Sequence, residues 1–239
     1  MSKYLLPWTV PLMLTAAGAG LLAGWIYSYY HLSVPMRLPG EDGRPSALSF
    51  DASSARSKQG TLETFDGAPA RISGSWPTFR GSNYDAVSTE SVPLIRSFPS
   101  SGPKELWRVS LGEGYAGPAV RNGRVFLIDY DMARQADAIR CFSLEDGREI
   151  WRYSYPVAVK RNHGMSRTIP AVDDRYVVTI GPRCDVTCLE AETGQFRWAI
   201  DLVKEYGTQE PLWYAGQCPR IEDGKAVLAP AGKDVLMMA

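Results

Sequence analysis

The sequence predicts an all-β protein: a β-propeller of four-stranded blades, about three of them present and the ring incomplete, preceded by an N-terminal transmembrane helix and a flexible linker. Three observations predict it. An uncharged run opens the chain, a stretch rich in Pro, Ser, Gly and Ala follows, and the remainder repeats one pattern of strands, turns and tryptophans. The corresponding segments are residues 1–30, 31–75 and 76–239.

No charged residue stands between Tyr4 and Tyr30, a run that exceeds the roughly 20 apolar residues a helix needs to cross a bilayer. Lys3 precedes the run, and Trp25, Tyr27, Tyr29 and Tyr30 crowd its far end as interfacial aromatics do. That asymmetry puts the N-terminus in the cytoplasm and the rest of the chain outside it. The competing reading is a cleaved signal peptide ending at Ala17-Gly18-Ala19, although apolar sequence continues for about ten residues beyond that point. Ala16, Gly20 and Gly24 form a stripe at four-residue spacing that would let two such helices approach, though glycine is common in membrane helices for other reasons. An uncleaved anchor predicts a single-pass membrane protein with its C-terminal domain outside the cytoplasm. In the linker, Pro35, Pro39, Pro45 and Pro69 break any helical pattern, so this stretch spaces the folded part from the membrane.

Of the 239 residues, 45% are hydrophobic and 22% charged, which supplies enough apolar material for a packed core. Lys plus Arg (26) equals Asp plus Glu (26), so no basic field exists to hold nucleic acid.

The repeat is visible in "LEAETGQFRW" (189–198) and "LEDGREIW" (144–151), where Thr193-Gly194 precedes Trp198 and Asp146-Gly147 precedes Trp151. Trp107 extends the series, with intervals of 44 (107 to 151) and 47 (151 to 198). Pro118, Pro170 and Pro219, which open "PAV", "PAV" and "PRI", follow at 52 and 49. After each comes a turn and an apolar run: Asn122-Gly123 before "RVFLIDY", Asp173-Asp174 before "RYVVTIG", and Asp223-Gly224 before "KAVLAPAG". These read as three hairpins, and only "DLVKEYG" (201–207) has the pattern of a helical turn. A period near 47 with several strands per unit marks sheets that must stack on their neighbours to bury both faces. Gly147 and Gly194 then supply the turn between a blade's last two strands, and Trp151 and Trp198 point from the outer strand into the space between blades.

The four cysteines do not have zinc-ligand spacing, and an extended Cys184-x3-Cys188 would hold its sulfurs roughly 13 Å apart, too far for a disulfide. Cys141 and Cys188 each lie six residues before a turn glycine and fill one small-residue slot of the repeat. By that register Ala239 also falls in the slot, so the sequence is expected to end mid-blade, as a fragment.

"CLEAETGQFRW" resembles the pyrroloquinoline-quinone-type repeat, whose pattern is a small residue, Leu, Asp, two variable residues, Thr-Gly, three variable residues and Trp. "WPTFRGSN" followed by "VSTE" is similar to the segment that introduces the propeller in many bacterial members, and the resemblance covers about 75–239. It implies one of two functions. Members similar to the outer-membrane assembly lipoprotein are non-catalytic protein-binding scaffolds without a cofactor. Quinoprotein dehydrogenases are oxidoreductases that hold the quinone with a vicinal Cys-Cys pair, a tryptophan floor and a calcium ion. No two cysteines are adjacent here, and no cysteine precedes Cys141 to carry the lipid of the scaffold members, so the helix would replace it. The expectation is a scaffold with no cofactor, no catalytic residues and no metal site. The alternative is a dehydrogenase using pyrroloquinoline quinone and calcium, with its site beyond residue 239.

The distance from blade tryptophan to next proline is 11 residues in the first unit (107 to 118), 19 in the second (151 to 170) and 21 in the third (198 to 219). Insertions at one point of a repeat emerge on one face, so these loops should lie side by side. The second carries Lys160, Arg161, His163 and Arg167, and the third carries Trp213, Tyr214 and Gln217. Basic groups beside aromatics suit an anionic ligand or a partner peptide, and the same loops would serve a carbohydrate- or peptide-sensing module. The plainer account is a solvated basic loop and a tryptophan packed between blades. His163 alone is too little for a metal site or a hydrolytic triad.

Overall fold

The computed structural model of the chain describes residues 6–31, 60–160 and 165–239, in two units, Met1–Phe50 and Asp51–Ala239. In the first unit, α1 (Leu6–His31) has Pro11 within it, and its Thr9–His31 stretch is long and apolar enough to cross a membrane. Its C-terminal end gathers the aromatics, with Trp25 and Tyr29 stacked at 6.1 Å and Tyr29 and Tyr30 edge to face at 5.7 Å.

The second unit is mostly antiparallel β-sheet. Its first sheet is a meander of β2 (Ala119–Arg121), β3 (Arg124–Asp131), β4 (Ala136–Ser143) and β5 (Glu149–Pro156). A second meander repeats it as β6 (Ala171–Val172), β7 (Tyr176–Ile180), β8 (Asp185–Glu190) and β9 (Phe196–Asp201). A third begins as the hairpin β10 (Arg220–Glu222) and β11 (Lys225–Val227), with a bridge from Leu228 to Met238. Between β9 and β10, α2 (Leu202–Tyr206) forms where Asp201 caps the N-terminus by accepting from Lys204 N, and Gly207 closes the end at φ 67°.

The hairpin turns differ in chemistry. Asn122-Gly123 and Asp223-Gly224 have both residues left-handed, as a type I′ turn needs. Asp173-Asp174 does not. There the Asp173 carboxylate accepts from the Arg175 and Tyr176 amides at 2.7 and 2.6 Å, so a side chain makes the turn that a glycine makes elsewhere.

The two meanders stack face to face. Phe126, Ile139, Trp151, Tyr153 and Tyr155 of the first meet Val172, Val177 and Leu189 of the second in one core. The far side of the second, with Val178, Ile180, Val186 and Cys188, packs on Leu202, Ala215 and Leu228 in another. The tryptophans are wedges between these layers. Trp107 donates its indole N–H to Leu144 O (3.0 Å) and lies on Gly147, while Trp151 donates to Ala191 O (3.2 Å) and lies on Gly194. The acceptor is three residues before the glycine both times, so each tryptophan covers the turn of the following unit. Each turn glycine thus has two reasons to be glycine: φ of 70° and 74°, and an indole where a Cβ would stand 2.6 or 2.7 Å away.

Opposite each outer tryptophan is a cysteine, Cys141 facing Trp151 and Cys188 facing Trp198, with a bulge immediately after each. A small side chain there leaves room for the indole. Cys184 is not in a strand: it occupies a left-handed turn position (φ 66°) just before β8, so the extended geometry expected for 184–188 begins one residue late.

The linker expected over 31–75 ends earlier, because residues 61–64 form β1 (Thr61–Thr64) on the outer edge of β5. The arm continues with Phe65 and Gly67 amides donating to Ile150 and Glu149 carbonyls, the Ala70 amide to Gly123 O, and Trp76 bridging Val120. Composition missed it because the unpaired outer edge of β5, not the arm's own hydrophobicity, makes it a strand. Residues 32–59 lie outside the described residues.

Candidate functional site

The three loops that follow the tryptophans do lie side by side. Tyr115 N in the first donates to Ser166 O in the second at 2.7 Å. The second is tied to the third through Tyr214, whose hydroxyl accepts from Lys160 N (2.7 Å) and donates to Lys160 O (2.8 Å), as a paired strand would. Arg167 donates to Trp213 O at 3.1 Å, and the Ile169 amide contacts Cys218 Sγ at 3.3 Å. Arg183 joins the set, pairing with Glu210 at 2.8 Å.

Among the residues singled out by sequence, Arg167 and Trp213 are exposed on this face, beside Tyr115 and Leu212. Tyr214 is buried and braces the loops. Gln217 is also engaged, its amide donating to Ala229 O (2.7 Å) and accepting from Ala229 N (2.8 Å), which fixes the third loop to the strand end after β11. Arg161 and His163 lie outside the described residues.

Beneath the second loop is a polar cluster that sequence reasoning missed. Asp137, fully buried on β4, accepts from the Tyr155 hydroxyl (2.7 Å) and from Ser166 Oγ (3.2 Å). Burial pushes its carboxyl up to about 7, against the pull of those two donors, and the nearby Asp185 and Asp129 push the same way. Tyr155 is raised well above the ordinary tyrosine range, first by burial and then by Asp137. The signal in the sequence was a single acid in the apolar strand "ADAIRCF".

A second charged group lies on the opposite face of the first meander, around a cavity of about 360 Å³. Glu149 is held by both Arg140 (2.8 and 2.9 Å) and Arg152 (2.9 and 2.7 Å), and Arg140 also reaches Asp129 at 2.8 Å. Burial alone would raise the Glu149 carboxyl, but the two guanidiniums hold it below its usual range. With its charges matched, the network joins β3, β4 and β5.

The geometry is that of stacked repeat units. The family described as outer membrane protein assembly factor BamB, of the pyrroloquinoline-quinone repeat type, matches residues 71–210 and 135–238. The chain belongs to this family. Comparison with curated proteins gives no match. Similar solved structures include BamB from Moraxella catarrhalis, at 19% identity and a TM-score of 0.32 over 46% of this chain and 28% of that one. Quinohemoprotein alcohol dehydrogenase from Comamonas testosteroni is similar at 18% identity and a TM-score of 0.36, over 50% of this chain and 17% of that one. Quinohemoprotein alcohol dehydrogenase ADHIIG from Pseudomonas putida HK5 is similar at 23% and 0.35, over 52% and 18%. The chain thus spans less than a third of the length of these proteins.

No two cysteines are adjacent in the sequence, and among the described residues no group of three or more His, Cys, Asp or Glu side chains comes together to hold a metal ion. The buried Cys141, Cys184 and Cys188 have thiols raised by desolvation, the latter two to about 11 and about 12, which makes them poor nucleophiles.

Proposed function

We propose that the protein is a membrane-anchored, extracytoplasmic β-propeller that acts as a non-catalytic scaffold, binding protein partners on the face formed by its long loops. The carrying observation is that three loops far apart in sequence are bonded edge to edge and leave Tyr115, Leu212, Trp213 and Arg167 exposed together. Aromatic and arginine side chains on a braced surface are what hot spots of protein interfaces are made of. Arg161 and His163 belong to the same loop by sequence, and on that ground alone they are proposed to contribute to binding. The anchor reading rests on the length and apolar composition of α1, and gives an inner-membrane protein with its C-terminal domain in the periplasm.

The test is affinity capture from bacterial membranes with the full chain and with an Arg167→Ala/Trp213→Ala variant. The proposal expects a partner that the variant loses while melting at the same temperature. Equal recovery by both would remove the loop face as the binding surface. Oxidation of an alcohol on addition of pyrroloquinoline quinone and calcium, with no partner recovered, would replace the scaffold by the oxidoreductase reading.

A further inference from the structure

The cluster under the second loop is placed where one side chain can act on the whole loop face. Ser166 is the crossing point: its hydroxyl reaches down to Asp137, its carbonyl accepts from Tyr115 of the first loop, and Gly114 packs against it. Its neighbours carry the remaining ties, Arg167 to Trp213, Thr168 to Ile180 O at 2.5 Å, and Ile169 to Cys218. Met165 and Ser166 are buried and form the cover over the carboxyl.

The fold does not require an acid there. Asp137 stands four residues before Cys141, and Tyr155 four after Trp151; the same offsets in the second meander give Cys184 and Leu202, which pack in an apolar core. A repeat that closes this junction with a thiol and a leucine in one unit has placed a carboxyl and a phenol in the other. Gly181 also faces Tyr155 and Asp137, leaving their space unfilled by a side chain.

We propose that Tyr155, Asp137 and Ser166 form a pH-operated latch for the loop face: with Asp137 neutral, segment 165–169 stays closed over it, and with Asp137 ionised the segment lifts to let water reach the carboxylate. The latch rests on the loop face being the binding surface and names its regulation. The groups that bear on Asp137 are Tyr130 and Asp129 from β3, Tyr155 from β5, Ser166 from the cover and Asp185 from β8. The charged ones are acids and disfavour ionisation, and a buried carboxylate is relieved by hydration. In the neutral form both hydroxyls can accept as well as donate, so the closed contacts persist. On ionisation the proton goes to solvent. A midpoint near 7 for Asp137 places the change within the ordinary range of environmental pH.

The experiment is hydrogen–deuterium exchange on the full chain in detergent, expressed as protection relative to intrinsic exchange. From about pH 6 to about pH 8, protection at 165–169 should fall by about tenfold, while β7 and β8 stay protected. Asp137→Asn should remain closed throughout. Ser166→Ala removes a contact made only in the closed form, so that form gives way sooner and its midpoint should move to lower pH, a shift that a hydroxyl uncoupled from the opening would not cause. Should Asp137→Asn not fold, the ¹³C resonance of the Asp137 carboxyl reports the midpoint directly. The latch is overturned by flat protection in the parent, by an unchanged profile in Asp137→Asn, by an unmoved midpoint in Ser166→Ala, or by a carboxyl titrating near the usual aspartate value. None of these readings depends on a partner, so the latch and the scaffold reading fail separately.

Discussion

The two complete meanders share one register yet differ in what covers them. Each has a cysteine opposite its outer tryptophan, a bulge after the cysteine and a left-handed glycine at the last turn. Trp151 is nevertheless fully buried and Trp198 only half-buried. Trp151 lies on Gly194 of the following unit, and β1 seals the edge of its strand. The sheet that carries a tryptophan covers only part of it, as Phe126 does for Trp151 at 5.9 Å; the next unit completes the burial. The faces differ in the same sense. Phe196 of the second meander stacks on Tyr153 of the first at 5.9 Å, whereas the equivalent position of the first, Glu149, sits in an ion network beside a cavity.

The sharpest way to break the comparison is at the tryptophans. Trp151→Ala should cost about 3–5 kcal/mol by urea denaturation of the second unit, and Trp198→Ala about half as much. Equal costs would mean that the following turn is not what buries the ring. Glu149→Gln should come next, at about 2–3 kcal/mol, since it leaves the buried Arg140 and the partly buried Arg152 guanidiniums short of a carboxylate. The exposed Glu190–Arg197 pair of the second meander should show no measurable loss on Glu190→Gln.

Asp137→Asn should instead stabilise, by about 2 kcal/mol at a pH above 7, because the folded state otherwise has to accommodate a charge at a site that favours the neutral group. The sign follows from the raised carboxyl. Between the unfolded value and about 7 the folded state holds a proton the unfolded state has lost, so stability falls as pH rises through that window. Thermal melts from acid to neutral pH should therefore fall less steeply for the variant. Gly194→Ala, which meets both the Trp151 ring and a left-handed φ, should cost about 1–3 kcal/mol. A smaller loss is expected for Tyr214→Phe, about 1 kcal/mol, read as faster amide exchange at Lys160 rather than as a lower melting temperature.

The repeat was legible because its causes are local. A left-handed turn selects glycine, a wedge selects tryptophan, and both recur at one stride, so the meanders, the hairpins and the short helix at 202–206 could be read from residues alone. The adjacency of the long loops was legible for the same reason. Which loop residues face solvent was not, since Tyr214 and Gln217 look like ligand groups until their backbone partners, 54 and 12 residues away, are known.

By itself, then, the sequence determined the apolar helix, the antiparallel repeat and the place of its insertions, all of which follow from spacing along the chain. Tertiary structure decided that residues 61–64 are a strand, that the indoles lie on the next unit's glycines, and that a lone acid in β4 sits under the loop face. Those outcomes depend on which surfaces meet when sheets stack. Burial and hydrogen-bond partners are properties of that meeting, not of neighbours in sequence.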